Sequence, residues 1–292
     1  MLLLESVPNF SEGRDRATID AIGEALARRA RLLDVHSDAD HNRSVYTLAA
    51  TSDDLVDALL AGIACARERI DLRLHEGAHP RVGAADVVPV VPLPPADTAR
   101  ARETARRLAE RVGAELGLPV FLYGELASDR GPAFFRRGGT AELQRRIDAG
   151  EVAPDFGPGR LDDRAGGVIV GARRPLIAFN VELRGSHESA REIAAVVRER
   201  GGGFPGLRAL GLELPSRPGV VQVSMNVEDW EAAPLHEIVG RIRAEAAARG
   251  AEVLGSELVG LMPAGAAAAA AGQALGLEGF DASAVLEARL LE

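Results

Sequence analysis

Six histidines and one cysteine are the residues in this chain best suited to proton transfer, nucleophilic attack or soft-metal binding. Their surroundings sort them. Cys65 sits in LLAGIACARERI, an amphipathic helical pattern, and is expected to be a core residue. A single cysteine also rules out an intramolecular disulfide and a multi-cysteine zinc site. His187 follows Ser186 at a helix start and His236 lies inside a regular helix, so both are expected to cap or face solvent. His36 and His41 flank a polar turn, DVHSDADHNRS. His75 and His79 share RLHEGAHPRVGAAD, whose HEGAH matches the zinc-protease string H-E-x-x-H. That string works only on one helix face. Here Gly77 interrupts it, and Pro80 pushes His79 toward an extended backbone. The alternative is a loop presenting His79 and Arg81 together. A neutral imidazole shuttles protons near pH 7, and a guanidinium grips a carboxylate through two parallel hydrogen bonds. A plain surface turn between helix and strand stays open as a third reading.

The 292 residues contain no lysine, so a P-loop lysine, a Schiff-base lysine and a lysine general base are all absent. A net charge of -9 argues against general affinity for nucleic acid or anionic membranes. With 47% hydrophobic and 26% charged residues the composition is that of a folded globular chain. No apolar run reaches 18 residues and the N-terminus lacks a signal-peptide pattern, which predicts a cytoplasmic protein. Gly201-Gly202-Gly203 follows a helix and is no dinucleotide fingerprint.

The elements that must position these residues fall into two halves, 1–170 and 171–292. The first reads β-α-β-β-α-β, then α-β, with Ser52 as the expected N-cap of its second helix. Residues 130–164 are irregular apart from one helix in AELQRRIDAG. The second half reads β-α-β-β-α-β, with Arg217-Pro218-Gly219 turning between the middle strands and an alanine-rich helix at its end. The predicted fold is α+β: two ferredoxin-like subdomains, each a sheet with helices on one face, flanking a groove that would take a ligand.

Eight strings occur in an order that resembles the formiminotransferase domain family: VPNFSEGRD, NRSVYTL, HEGAHPRVGAAD, LPVFLYGE, PDFGP, GARRPLIAFNVEL, QVSMNVEDWEAAPLHEI and GSELVGLMP. The resemblance runs from Val7 to about Phe280. It implies two α/β subdomains around a folate groove. The implied activity is transfer of a formimino group from N-formimino-L-glutamate to N5 of tetrahydrofolate, a step of histidine degradation. Tetrahydrofolate is then a co-substrate, no metal is needed, and a homodimer is expected. The family's catalytic histidine falls on His79. Its folate stretch falls on Gly157, Pro158, Gly159, Arg160, Leu161, Asp162, Asp163, Arg164, Ala165 and Gly166. Asn9, in VPNFSEG, is a further candidate for binding, and Arg81 and Arg43 are candidates for the substrate carboxylates. One departure stands out. Where the animal enzymes have Asp-Ala-Gly, this chain has His36-Ser37-Asp38, so the partner of His79 would come from Asp38 or Asp40, with Glu76 or Asp86 next. Competing readings are a transferase using formylglutamate or another formimino donor, a folate-binding protein without turnover, and a zinc hydrolase built on HEGAH.

Overall fold

Pro8 decides how the first strand enters the sheet. It has no N–H to give to a ladder, so the N-terminal run splits into β1 (Leu4–Ser6) and β2 (Asn9–Phe10). Both pieces lie between the same two neighbours, and the Pro8 carbonyl accepts the Tyr46 N–H. This computed structural model describes residues 3–77, 80–93, 97–127 and 130–289. The chain forms two compact units that divide between Arg174 and Pro175.

In the first unit α1 (Arg16–Ala27), β3 (Arg31–Asp38), β4 (Arg43–Ala50), α2 (Ser52–Arg69) and β5 (Ala85–Pro92) follow β2. Strands β3, β4, β1/β2 and β5 lie side by side and antiparallel, the neighbour order of a β-α-β-β-α-β unit. The sheet then grows by two parallel strands. After α3 (Thr98–Glu115) come β6 (Val120–Gly124), α4 (Pro132–Arg136), α5 (Gly139–Asp148) and β7 (Val168–Ala172). β7 inserts between β5 and β6. Two of these elements, α4 and β7, go beyond the sequence reading. The VIVGA run of β7 has no alternation because it is buried along its whole length. The N-cap of α2 is Thr51, one residue before the expected Ser52. Its hydroxyl donates to Asp54 and accepts the Asp54 N–H.

One face of this sheet packs on α1, α2 and α3 through Phe10, Leu26, Tyr46, Leu59, Val88 and Val170. Cys65 joins that core as a partly buried contributor. On the other face α4 and α5 cover Val87, Phe121, Tyr123 and Ile169 with Phe135 and Leu143.

The second unit contains β8 (Ile177–Arg184), α6 (His187–Val197), β9 (Leu207–Glu213), β10 (Val220–Val227), α7 (Leu235–Ala248) and β11 (Glu252–Val259). Its strands run in the order β11-β8-β10-β9, antiparallel throughout, which is the ferredoxin-like arrangement read from the sequence. Gly219, at φ +82°, makes the β9–β10 turn in a conformation that favours glycine. The alanine-rich α8 (Ala264–Leu275) packs its first turn on Trp230: a Cβ on Gly265 would lie 2.7 Å from the indole. A last short helix, α9, spans Leu286–Arg289. Among the described residues no helix is long and apolar enough to cross a membrane.

Candidate active site

Three loops of the first unit meet at one end of its sheet: residues 11–13 after β2, the turn 39–42 between β3 and β4, and, of the loop before β5, residues 75–77 and 80–82. They meet closely because two glycines allow it. A Cβ on Gly13 would sit 2.1 Å from the Asp38 carbonyl oxygen. One on Gly77 would sit 2.5 Å from the His41 carbonyl oxygen and 2.6 Å from the Arg81 guanidinium. Ser11 ties the first loop to the third, its N–H donating to the Ala84 carbonyl and its hydroxyl to that of Gly83. Asp38 Oδ1 accepts the His41 N–H at 2.7 Å and holds the turn.

Arginine charge is concentrated here. Arg81 spans the gap between the second and third loops, Nη1 donating to the Asn42 carbonyl (3.0 Å) and Nη2 to the His41 carbonyl (2.8 Å). Arg136, at the end of α4, donates through Nε (2.9 Å) and Nη2 to Oδ2 of Asp86, whose Oδ1 accepts the Val82 N–H (2.7 Å). Arg43 starts β4 opposite Asp38. Burial pulls Arg43 down to about 10, Arg136 and Arg81 add to that, and Asp86 and Asp38 oppose it. Arg81 is likewise lowered to about 10, first by burial, with Asp86 opposing and Arg136 assisting. Arg43 and Arg81 stay charged at neutral pH, and with Arg136 they gather three guanidinium groups around two acidic side chains, Asp86 and Asp38. Such an excess of buried positive charge suits an incoming carboxylate.

His75 lies within this charge. Arg81 Nη1 is 2.8 Å from both ring nitrogens, and Nε2 is 3.1 Å from the Asn42 carbonyl oxygen. A guanidinium can only donate, so the ring nitrogen that receives Arg81 carries no proton. The ring is then neutral. Burial, followed by the Arg81 charge, holds its pKa below the usual histidine value, with the Asn42 bond working the other way. His75, Glu76, Gly77, Pro80 and Arg81 line a concavity of about 460 Å³, with Leu72, Gly139 and Thr140 opposite.

The residues singled out by sequence are distributed as follows. His79 lies outside the described residues. The register aligns His36 with Val45, and Val45 with Asn9. His36 and Asn9 therefore share one sheet face, with the Asp38–Arg43 pair further along β3 and β4 on the same side. Asn9 donates through Nδ2 to its own loop, at the Val7 carbonyl. Asp40 is half-buried in the turn. Of the stretch 157–166, the second part is tied to the site. Asp162 Oδ1 accepts the Arg164 and Ala165 N–H groups, and the main chains of Asp162 and Gly166 bond both ways. Ala165 and Arg164 then accept from Ala84 and Leu72, which flank the loop 75–82. The first part faces elsewhere: Gly157, at φ +79°, is wedged against Leu118 and Gly113, and Pro158, Gly159 and Arg160 are exposed. Leu161 is buried, Asp163 is exposed, and Arg164 pairs with Asp71 at 3.3 Å.

Sequence reasoning left out Arg136, Asn42 and the paired role of Asp86. Asp86 and Arg136 are fifty residues apart, and α4 was not foreseen. Asn42 carried a usable signal, since asparagine in a polar turn tolerates a left-handed backbone. The zinc-protease geometry does not form: after a 3-10 turn at Leu72–Leu74, His75 is extended (φ -96°, ψ 128°). Among the described residues no three His, Cys, Asp or Glu side chains group as a metal would require.

Comparison with known proteins gives two family matches. Residues 3–173 match the formiminotransferase domain, N-terminal subdomain, and residues 178–276 match the formiminotransferase domain. The chain is 41% identical to a glutamate formimidoyltransferase of Thermoplasma acidophilum, covering 99% of this chain and 98% of that one. It is 39% identical to a glutamate formimidoyltransferase of Streptococcus pyogenes serotype M1, covering 96% and 95%. It is also 39% identical to the formimidoyltransferase-cyclodeaminase of Sus scrofa, over 89% of this chain and 50% of that longer protein.

Proposed function

The chain belongs to the formiminotransferase domain family, and on that premise we propose that it transfers the formimino group of N-formimino-L-glutamate to N5 of tetrahydrofolate. The products are 5-formiminotetrahydrofolate and glutamate. The observation that carries this reading is the end-to-end similarity to two relatives named for formimidoyl transfer from glutamate. The cluster of Arg43, Arg81 and Arg136 supports it, because the donor is a dicarboxylate.

The chemistry asks for one proton to be moved twice. N5 attacks the amidine carbon and forms a tetrahedral centre. The new bond to N5 stays, the bond to the glutamate nitrogen breaks, and the proton lost from N5 ends on the departing amine. A histidine near neutrality serves both halves, a contribution of roughly 10²–10⁴-fold. In this reading His79 is that group. The remaining acceleration comes from holding both substrates together. Arg43 and Arg81 are the two arginines considered for carboxylate binding: two nitrogens of Arg81 hold the 41–42 carbonyls, and Arg43 begins β4 opposite Asp38. Asp38 and Asp40 lie in the turn from which a carboxylate would steady the imidazolium, and His36 lies beside them. Residues 161–166 support the loop from behind, on the side proposed for folate. The same reading makes the protein a cytoplasmic homodimer that acts on small molecules without a metal cofactor.

The test is a spectroscopic assay of the purified protein with tetrahydrofolate and formiminoglutamate. Glutamate release dependent on folate is the expected result. Folate binding without release, or turnover only with formylglutamate, overturns the assignment.

A further inference from the structure

Asn42 is the one non-glycine residue among those described whose backbone is left-handed, at φ +46°. Such a conformation is costly outside glycine and persists only where the surroundings fix it. The surroundings do so from every side. Asn42 is 6% exposed. Its Oδ1 accepts the Gly13 N–H at 2.9 Å, and its Nδ2 donates to the Glu76 carbonyl at 2.8 Å. Its own carbonyl accepts Arg81 Nη1 and His75 Nε2. One residue thus joins all three loops, and each bond depends on the others. Turning residue 42 right-handed would swing its carbonyl away from Arg81 and His75. Losing that acceptor would release both side chains from the arrangement they share.

We propose that Asn42 is a positioning residue for the transfer reaction. The inference rests on the function proposed above. Asn42 holds its carbonyl toward both Arg81 and His75, so that the guanidinium and the imidazole keep one arrangement. Through Glu76 it also anchors the segment that leads directly to His79. It touches no substrate in this scheme.

Two substitutions approach the contact from opposite sides. Asn42→Gly keeps the left-handed backbone without strain and deletes both amide bonds. Gly77→Ala leaves Asn42 intact but inserts a methyl 2.9 Å from its Cβ and 2.5 Å from the His41 oxygen. Asn42→Asp, which keeps the shape but turns the Glu76 donor into an oxygen, replaces either variant that fails to fold. The readouts are kcat, KM and the ring ¹⁵N signals of His75. Wild type should show one set of signals from a neutral His75 ring. Both variants, by loosening what holds the residue 42 carbonyl, should shift those signals and lower kcat at least tenfold, since displacing a catalytic group by about an ångström can cost on the order of 10²-fold. An unchanged kcat in both variants, or unchanged His75 signals in both, overturns the proposal. If wild type itself transfers nothing, the proposed function fails on its own account, and the ring signals alone decide the role of Asn42.

Discussion

Replacing Arg136 with Gln strips Asp86 of its closest cation while leaving the carboxylate buried. The side chains are 3% and 15% exposed, so water repairs little of the loss. Breaking a buried pair from one side costs about 3–5 kcal/mol. Two features reduce that figure here. Oδ1 keeps the Val82 N–H, and Arg43 and Arg81 still place positive charge nearby. Arg136→Gln should therefore cost about 2–3 kcal/mol, just below that range. Asp86→Asn should cost more, about 4 kcal/mol, because three guanidinium groups then face only Asp38. For a chain of this size each kcal/mol moves Tm by about 2–4 °C, so the two shifts are separable by calorimetry. The double variant should be less destabilised than the sum, with a coupling of about 1–3 kcal/mol, since the first change removes what the second would break. Sulfate should restore Asp86→Asn more than wild type, an anion taking the place of the missing carboxylate. Additive losses, or an Arg136→Gln more damaging than Asp86→Asn, would refute the view that Asp86 is the shared counter-ion of three arginines.

His79→Ala should abolish transfer while tetrahydrofolate binding, followed by fluorescence, stays within about tenfold; a residual kcat above a tenth of wild type removes His79 from the proton-transfer role. The depressed pKa of His75 makes its neutral form the native one, so its contribution is intact above the unfolded value near 6.5 and is lost as pH falls below it. Tm should drop between about pH 7 and 5, and less so in His75→Gln; equal drops in both would assign the acid sensitivity to other groups. Asp162→Ala removes the acceptor of two loop N–H groups, a loss of about 1–3 kcal/mol. It should raise KM for tetrahydrofolate more than it lowers kcat; a pure kcat effect would move the folate contact away from this stretch. Chelators should leave turnover unchanged, and activity lost to chelation and restored by Zn²⁺ would revive the HEGAH reading.

The second unit was legible almost strand for strand because its elements are amphipathic and its β9–β10 turn carries its own Pro-Gly signature. The first unit was less so. Periodicity reports a face, and β7 has none: a buried parallel strand reads only as a short apolar run. The five-residue α4 is too short for a helical period to show. These are two elements that border the arginine cluster, since α4 carries Arg136 and β7 sits beside β5, the strand that carries Asp86. The site was therefore legible where its residues follow one another, in the turn 36–43 and the loop 75–82. It was hidden where partners come from distant segments.

That division bears most on Arg81. Arg81 follows Pro80 in a loop, and from its type alone it suggests a free guanidinium awaiting a carboxylate. In three dimensions its two terminal nitrogens are committed to main-chain oxygens at 41 and 42. An arginine that holds two carbonyls and faces a neutral imidazole acts as a strut, and its charge works through space. Arg43 begins β4 beside Asp38 on the face that also carries His36 and Asn9, so its charge joins the same field, which acts through three guanidinium groups and not through one contact.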